Sequence, residues 1–174
     1  MRKWVGLVLM VAAVSSLAYA GEVKVELDTE KLTEVPNAVL LEDGLIAGGA
    51  PTARGLGQAA EQGIRTVIDV RMPKEGTAQE ADYAEAVGLN YINIPISVDS
   101  FSEAQADELA RVLEDPATGP VLLHCGSGQR AVAVWALYRN RHQGVDAQQA
   151  LTDARQKGLK KPELETKLQT LMKS

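Results

Sequence analysis

Cys125, Gly126, Ser127, Gly128, Gln129 and Arg130 are consecutive, and their types suit chemistry on an anion. The four residues before them, VLLH at 121–124, are apolar or tolerated in strands, and RAVAVWALYRNR from Arg130 onward carries helical periodicity. A strand, a glycine loop and a helix start are therefore expected to meet at Cys125. Successive backbone N–H groups in such a loop, added to the positive end of the following helix, form a concave anion site. The same field favours a thiolate, so Cys125 is the candidate nucleophile. Gly126 and Gly128 let the backbone curl, and Arg130 offers a planar fork for two oxygens of a tetrahedral anion. A free cysteine at a strand end is also a common small core residue. The coincidence of a thiol, two glycines and a guanidinium at one turn favours the chemical reading.

The elements that must carry this loop follow from the rest of the chain. Residues 37–48 read as a hairpin: AVLL and LIAG are apolar runs separated by the turn sequence Glu42-Asp43-Gly44. Thr52 is placed to cap a helix over residues 53–62, ended by Gly63. IRTVIDV at 64–70 and NYINIPI at 90–96 read as strands joined by a helix near residues 79–87, which is a parallel crossover. Ser102 and Gln105 form a capping box for a helix over residues 102–114, and the prolines at 116 and 120 deliver the chain to the strand at Val121. Three helices complete the chain, from Arg130 to about His142, after an Asp146 cap, and from Pro162. Trp135 is assigned to packing, and the late leucine stripes to the core. The fold class expected is α/β, a mainly parallel sheet with helices on both faces and trailing C-terminal helices. In such sheets ligands bind off the carboxyl ends of the strands, where the Cys125 loop must lie.

Residues 1–20 have the form of a cleavable signal peptide, with a basic start at Arg2 and Lys3, an apolar stretch, and Ala18-Tyr19-Ala20 as the cleavage site. A periplasmic or secreted location is expected, with no membrane association after cleavage. Residues 21–36 are charged and irregular and read as a loose lead-in, leaving residues 37–174 as a single domain. The chain carries 18 basic against 23 acidic residues, net charge −5, and loss of Arg2 and Lys3 makes it more acidic still. That balance argues against a nucleic-acid partner. With one cysteine there is no internal disulfide, and an exposed thiolate outside the cytoplasm needs a reducing partner or a sheltered pocket. The two histidines, His124 and His142, do not fall in a ligand spacing with Cys125, so neither a metal nor another cofactor is expected.

Over residues 39–158 the sequence resembles the phosphatase-like domain of beta-lactamase-hydrolase-like proteins, a branch of the cysteine (tyrosine and dual-specificity) phosphatase superfamily. The resemblance rests on GGAPT at 48–52, GIRTVIDVR at 63–71, GLNYINIPIS at 88–97 and HCGSGQRA at 124–131. It implies Cys125 as nucleophile, Arg130 as anion clamp and the N–H groups of residues 126–130 as an oxyanion cradle. It further implies a proton donor in the loop after the preceding strand, which here offers Asp99. Asp69 and Arg71 end an earlier strand and are expected to pair with each other. The chain departs from tyrosine phosphatases in having four residues between Cys125 and Arg130 instead of five. It also has Ala131 where a hydroxyl residue usually follows the arginine, and Ala50 where relatives often carry Gln. A six-residue span from Cys to Arg is also the rhodanese arrangement, which transfers sulfane sulfur through a persulfide and needs no general acid. A small phosphoester or a sulfane-sulfur donor is thus the expected partner, with turnover by hydrolysis or sulfur transfer, or anion binding without turnover.

Overall fold

The computed structural model describes residues 25–172, so the expected signal peptide lies outside the described residues. Five strands form one sheet, β1 (Val39–Glu42), β2 (Leu45–Gly48), β3 (Thr66–Asp69), β4 (Asn90–Asn93) and β5 (Val121–His124), in the order β1-β2-β5-β3-β4. The β1–β2 pair is the antiparallel hairpin read from the sequence, and the other three pairings are parallel. Among the described residues six α-helices surround the sheet: α1 (Ala53–Glu61), α2 (Thr77–Ala86), α3 (Glu103–Leu113), α4 (Gln129–His142), α5 (Ala147–Gln156) and α6 (Pro162–Leu171).

Alternation along the strands divides the core between two faces. Ile46, Val67 and Leu122 point to one side, where they pack with Leu56 and Ala59 of α1 and Ala84 of α2. Leu45, Ala47, Ile68, Val121 and Leu123 point to the other, toward α3, α4, α5 and α6. Since both faces are covered, the central strands β2, β3 and β5 are buried along their whole length, and their middle residues are apolar. The α4 helix is apolar almost all round because it lies under three helices as well as on the sheet; Ala131 to Tyr138 are all buried. Trp135 is buried as expected, with its Nε1–H donating to Glu42 Oε1 at 2.8 Å.

Local chemistry sets the helix ends. Thr52 Oγ1 accepts from the Gly55 N–H at 3.1 Å and opens α1. The Gln105 side chain accepts from the Ser102 N–H at 2.9 Å and opens α3, and Asp146 accepts from the N–H groups of Gln148 and Gln149 to open α5. Among the described residues, no helix is long and apolar enough to cross a membrane.

The lead-in differs from its expected looseness. Leu27, Leu32 and Val35 are buried in the α1 side of the core, around a single 3-10 turn at Thr29–Lys31. Side-chain amides on α1 and at its C-cap hold it: Gln62 Oε1 accepts from the Asp28 N–H at 2.8 Å, and Gln58 Oε1 from the Glu34 N–H at 3.0 Å. A 3-10 turn followed by irregular backbone has neither a 3.6-residue nor a two-residue period, so its three apolar anchors look scattered in the sequence. The other difference is β4, which ends at Asn93, so that residues 94–97 run as extended coil beside the pocket.

Candidate active site

The central strand β5 carries the site. Flanked by β2 and β3, it ends at His124, and the chain turns immediately through Cys125 to Gly128 into α4. Gly128 caps the helix with φ of +88°, a conformation that favours glycine. Gln129 and Arg130 open α4, where no intrahelical carbonyl is available to their N–H groups.

The loop is braced from behind by the end of β2. Gly49 bridges to Ser127, and the Ala50 N–H donates to the Gly126 carbonyl at 3.4 Å. The GGAPT segment thereby earns its glycines: a Cβ on Gly48 would lie 2.6 Å from Val35 Cγ1, and one on Gly49 3.2 Å from the Gly126 oxygen. Gly128 turns away from the pocket, toward the Gly48 backbone.

Cys125 is 1% exposed and lies at the floor of a pocket of about 500 Å³. Gly126, Ser127, Gln129 and Arg130 line the same pocket, joined by Glu75, Ser97, Val98, Lys161 and Leu164. The structure therefore brings the expected nucleophile and clamp together. Asp99 does not line this pocket; it is exposed in a turn where the Ser97 carbonyl accepts from the Phe101 N–H at 2.9 Å. Ala131 is fully buried in the core, so the position after Arg130 brings no hydroxyl to the loop.

Arg130 is held on two sides. Its Nη1 donates to the Ile96 carbonyl and to Glu75 Oε2, each at 2.8 Å, and its Nη2 donates to Glu75 Oε1 at 2.7 Å. The Arg130 hydrogen bonds, against the effect of burial and with further help from the Met72 N–H, hold the Glu75 carboxyl down to about 2. Glu75 is thus ionised across the ordinary pH range and offers no proton in this arrangement. The Glu75 contact also raises Arg130 above its ordinary value, against the effect of burial and with a further contribution from Cys125.

Behind the pocket lies a buried polar cluster. Arg71 donates to Asp69 Oδ2 at 2.7 Å and to Glu80 Oε2 at 2.6 Å, and Tyr91 donates to Asp69 Oδ2 at 2.7 Å. The expected Asp69–Arg71 pair is therefore real, inside a larger network. Burial alone would raise the Asp69 pKa, but the Arg71 and Tyr91 hydrogen bonds bring it below its ordinary value. Tyr91 is driven far above its own, by burial first and then by Asp69. His124 is fully buried, and its Nε2 lies 2.6 Å from Glu80 Oε1 but out of line for a hydrogen bond, which leaves both atoms and His124 Nδ1 without hydrogen-bond partners among the described residues. Asp69, Glu80 and His124 lie close enough together to hold a metal ion. The Arg71 guanidinium already supplies the positive charge to both carboxylates, so the trio fits a cation only if Arg71 moves out. Arg71 also donates to the Glu75 carbonyl at 3.4 Å, linking the cluster to the residue that grips Arg130.

Glu75, Glu80 and Tyr91 are absent from the sequence-based candidates. They come from a 3-10 turn at Pro73–Glu75, a helix and an edge strand with no shared spacing, and only the fold brings them to the end of β5.

Comparisons with known proteins agree with this geometry. A beta-lactamase hydrolase-like protein of Agrobacterium fabrum is 30% identical over 105 residues, which are 58% of this chain and 24% of that protein. The chain thus matches about a quarter of the length of that curated relative. A DUF442 protein of Shewanella putrefaciens CN-32 superposes with a TM-score of 0.67 at 19% identity, covering 83% of this chain and 96% of the other. P. aeruginosa TpbA, solved in complex with phosphotyrosine, superposes with a TM-score of 0.64 at 20% identity, covering 83% of this chain and 85% of TpbA. The architecture is thus that of the cysteine phosphatases, as the resemblance of HCGSGQRA implied. Residues 22–172 match the family described as a DSP-PTPase phosphatase fused to NAD+ kinase, and the chain belongs to that family.

Proposed function

We propose that this chain hydrolyses phosphoesters through a phosphate carried on Cys125, and that it does so outside the cytoplasm. The observation that supports the chemistry is the convergence of Cys125 and Arg130 in one pocket at the start of α4, off the carboxyl end of the central strand. The Cys125 thiolate attacks phosphorus. The bond from phosphorus to the leaving oxygen breaks, its electron pair stays on that oxygen, and a proton is delivered there. Water then adds to phosphorus, the sulfur–phosphorus bond breaks, and the thiolate and inorganic phosphate are released. Arg130 and the amides of the loop balance the charge on the three remaining phosphate oxygens. Asp99 is the proposed proton donor, reaching the leaving oxygen by movement of the turn that follows Val98. The bound phosphotyrosine of TpbA supports a phosphoester as the class of substrate. The location rests on the leader pattern of residues 1–20.

Intact mass of the protein tests the chemistry. Brief incubation with para-nitrophenyl phosphate followed by acid quench is expected to add one phosphoryl group, and Cys125→Ser to add none. An extra sulfur after incubation with thiosulfate, with no phosphoryl adduct, would transfer the site to sulfur chemistry. Asp99→Asn is expected to slow cleavage most for alkyl phosphates with poor leaving groups. An equal effect on para-nitrophenyl and alkyl esters would remove Asp99 from the mechanism. Exported protein is expected to begin at Gly21; an N-terminus at Met1 would refute the location.

A further inference from the structure

The connection between α5 and α6 forms the outer rim of the pocket. Gln129 Nε2 donates to the Gly158 carbonyl at 2.6 Å, and Gln129 Oε1 accepts from the N–H groups of Lys160 at 2.7 Å and Lys161 at 3.1 Å. One side-chain amide within the Cys125 loop thus fixes three backbone positions of that connection. Lys161 lines the pocket that holds Cys125 and Arg130. Lys160 and Lys161 together line an adjoining hollow of about 710 Å³, which shares Val98, Ser127 and Gln129 with the first.

In a chain of net charge −5, the guanidinium groups of Arg71, Arg130, Arg139, Arg141 and Arg155 are all taken by carboxylates. Lys157 is turned to the Leu40 carbonyl. Lys160 and Lys161 are exposed, and among the described residues neither makes an ion pair. Among the described residues Arg54, Arg65, Lys74 and Lys167 also make no ion pair, but Lys160 and Lys161 are the consecutive pair that stands beside the pocket. Both side chains line the same hollow, and two ammonium groups that share a hollow favour an anion in it. The start of α6 at Pro162 adds the positive end of a helix, and Glu163, which also lines the hollow, offsets part of it.

We propose that Lys160 and Lys161 form a second anion subsite, and that the substrate is a small molecule bearing two phosphates, one on the Cys125 loop and one on the lysine rim. The inference rests on the reading of the Cys125 pocket as a phosphoester site. Gln129 sets the distance between the two subsites, since it belongs to the loop at one and holds the backbone of the other.

Binding to the full chain carrying Cys125→Ser, which blocks turnover, tests the inference by calorimetry at low ionic strength. The probes are inorganic phosphate, fructose 6-phosphate and fructose 1,6-bisphosphate. Two exposed ion pairs of modest strength should make the bisphosphate bind about tenfold tighter than the monophosphate. That ratio should shrink as salt is raised. Addition of Lys160→Gln and Lys161→Gln is expected to bring the ratio close to one. Equal affinities for the two sugars while inorganic phosphate still binds would overturn the second subsite alone. A preference that survives replacement of both lysines would overturn its assignment to them. Failure of all three probes to bind would overturn the phosphoester pocket and the subsite together.

Discussion

Arg130 is useful as an anion clamp only if its guanidinium points at Cys125 before any anion arrives, and a free side chain of that length loses much rotamer freedom on ordering. Glu75 and the Ile96 carbonyl remove that freedom in advance. Glu75 is therefore a positioning residue, and Glu75→Gln keeps its shape while discarding its charge. We expect kcat/KM for para-nitrophenyl phosphate to fall about tenfold, a loss of about 1.4 kcal/mol of transition-state stabilisation. The pH dependence of stability gives an independent reading. The Glu75 carboxyl is held at about 2 in the folded protein against an ordinary 4.5. Its contribution to stability is fully present above about 4.5 and is lost as pH falls toward 2. Urea midpoints of the parent and Glu75→Gln should therefore differ at pH 7 and converge near pH 2. A gap that stays constant over that interval would show that the Arg130 contact contributes nothing to it.

Elements whose signals are local could be read from the sequence, and those whose signals are distant could not. Thr52, the Ser102–Gln105 pair and Asp146 each open the helix they were expected to open, because a cap is settled within four residues. Cys125 to Arg130 were legible for the same reason: a loop between a strand and a helix carries all its special residues in one run. The insertion of β5 between β2 and β3 had no local mark, and neither did the meeting of Glu75 with Arg130, which are 55 positions apart. The anchors of the lead-in carry no local mark either, because Leu27, Leu32 and Val35 find their partners on α1 and on the sheet. Asp146 gives a clean test of a local signal. It accepts from two otherwise unpaired N–H groups at the start of α5. Asp146→Ala should cost about 1 kcal/mol in urea unfolding. A loss below the error of the measurement would mean that α5 is fixed by packing alone.

Taken as one body, the molecule uses its two C-terminal helices twice. They close the core over α4, and their connection is the wall that meets the Cys125 loop through Gln129. Stability of the far face and geometry of the pocket are therefore coupled through α4, which touches α3, α5 and α6 as well as β5. Leu168 lies at the centre of that closure: it is fully buried, one turn beyond the pocket-lining Leu164, and on the helix whose first turn carries Pro162 to the rim. Truncation to Ala removes the transfer free energy of the lost carbons and leaves a cavity, which together cost about 2–5 kcal/mol at buried leucines. For a chain of this size that is a fall in Tm of about 5–15 °C. If α6 is an integral part of the folding unit, thermal unfolding of Leu168→Ala in protein beginning at Gly21, which lacks Trp4 and keeps Trp135, followed by far-UV circular dichroism and by tryptophan fluorescence should give one lowered midpoint, because buried Trp135 on α4 reports the same core. Two separated transitions, with the fluorescence midpoint unchanged, would instead make α6 an appendage whose loss the rest of the fold does not feel.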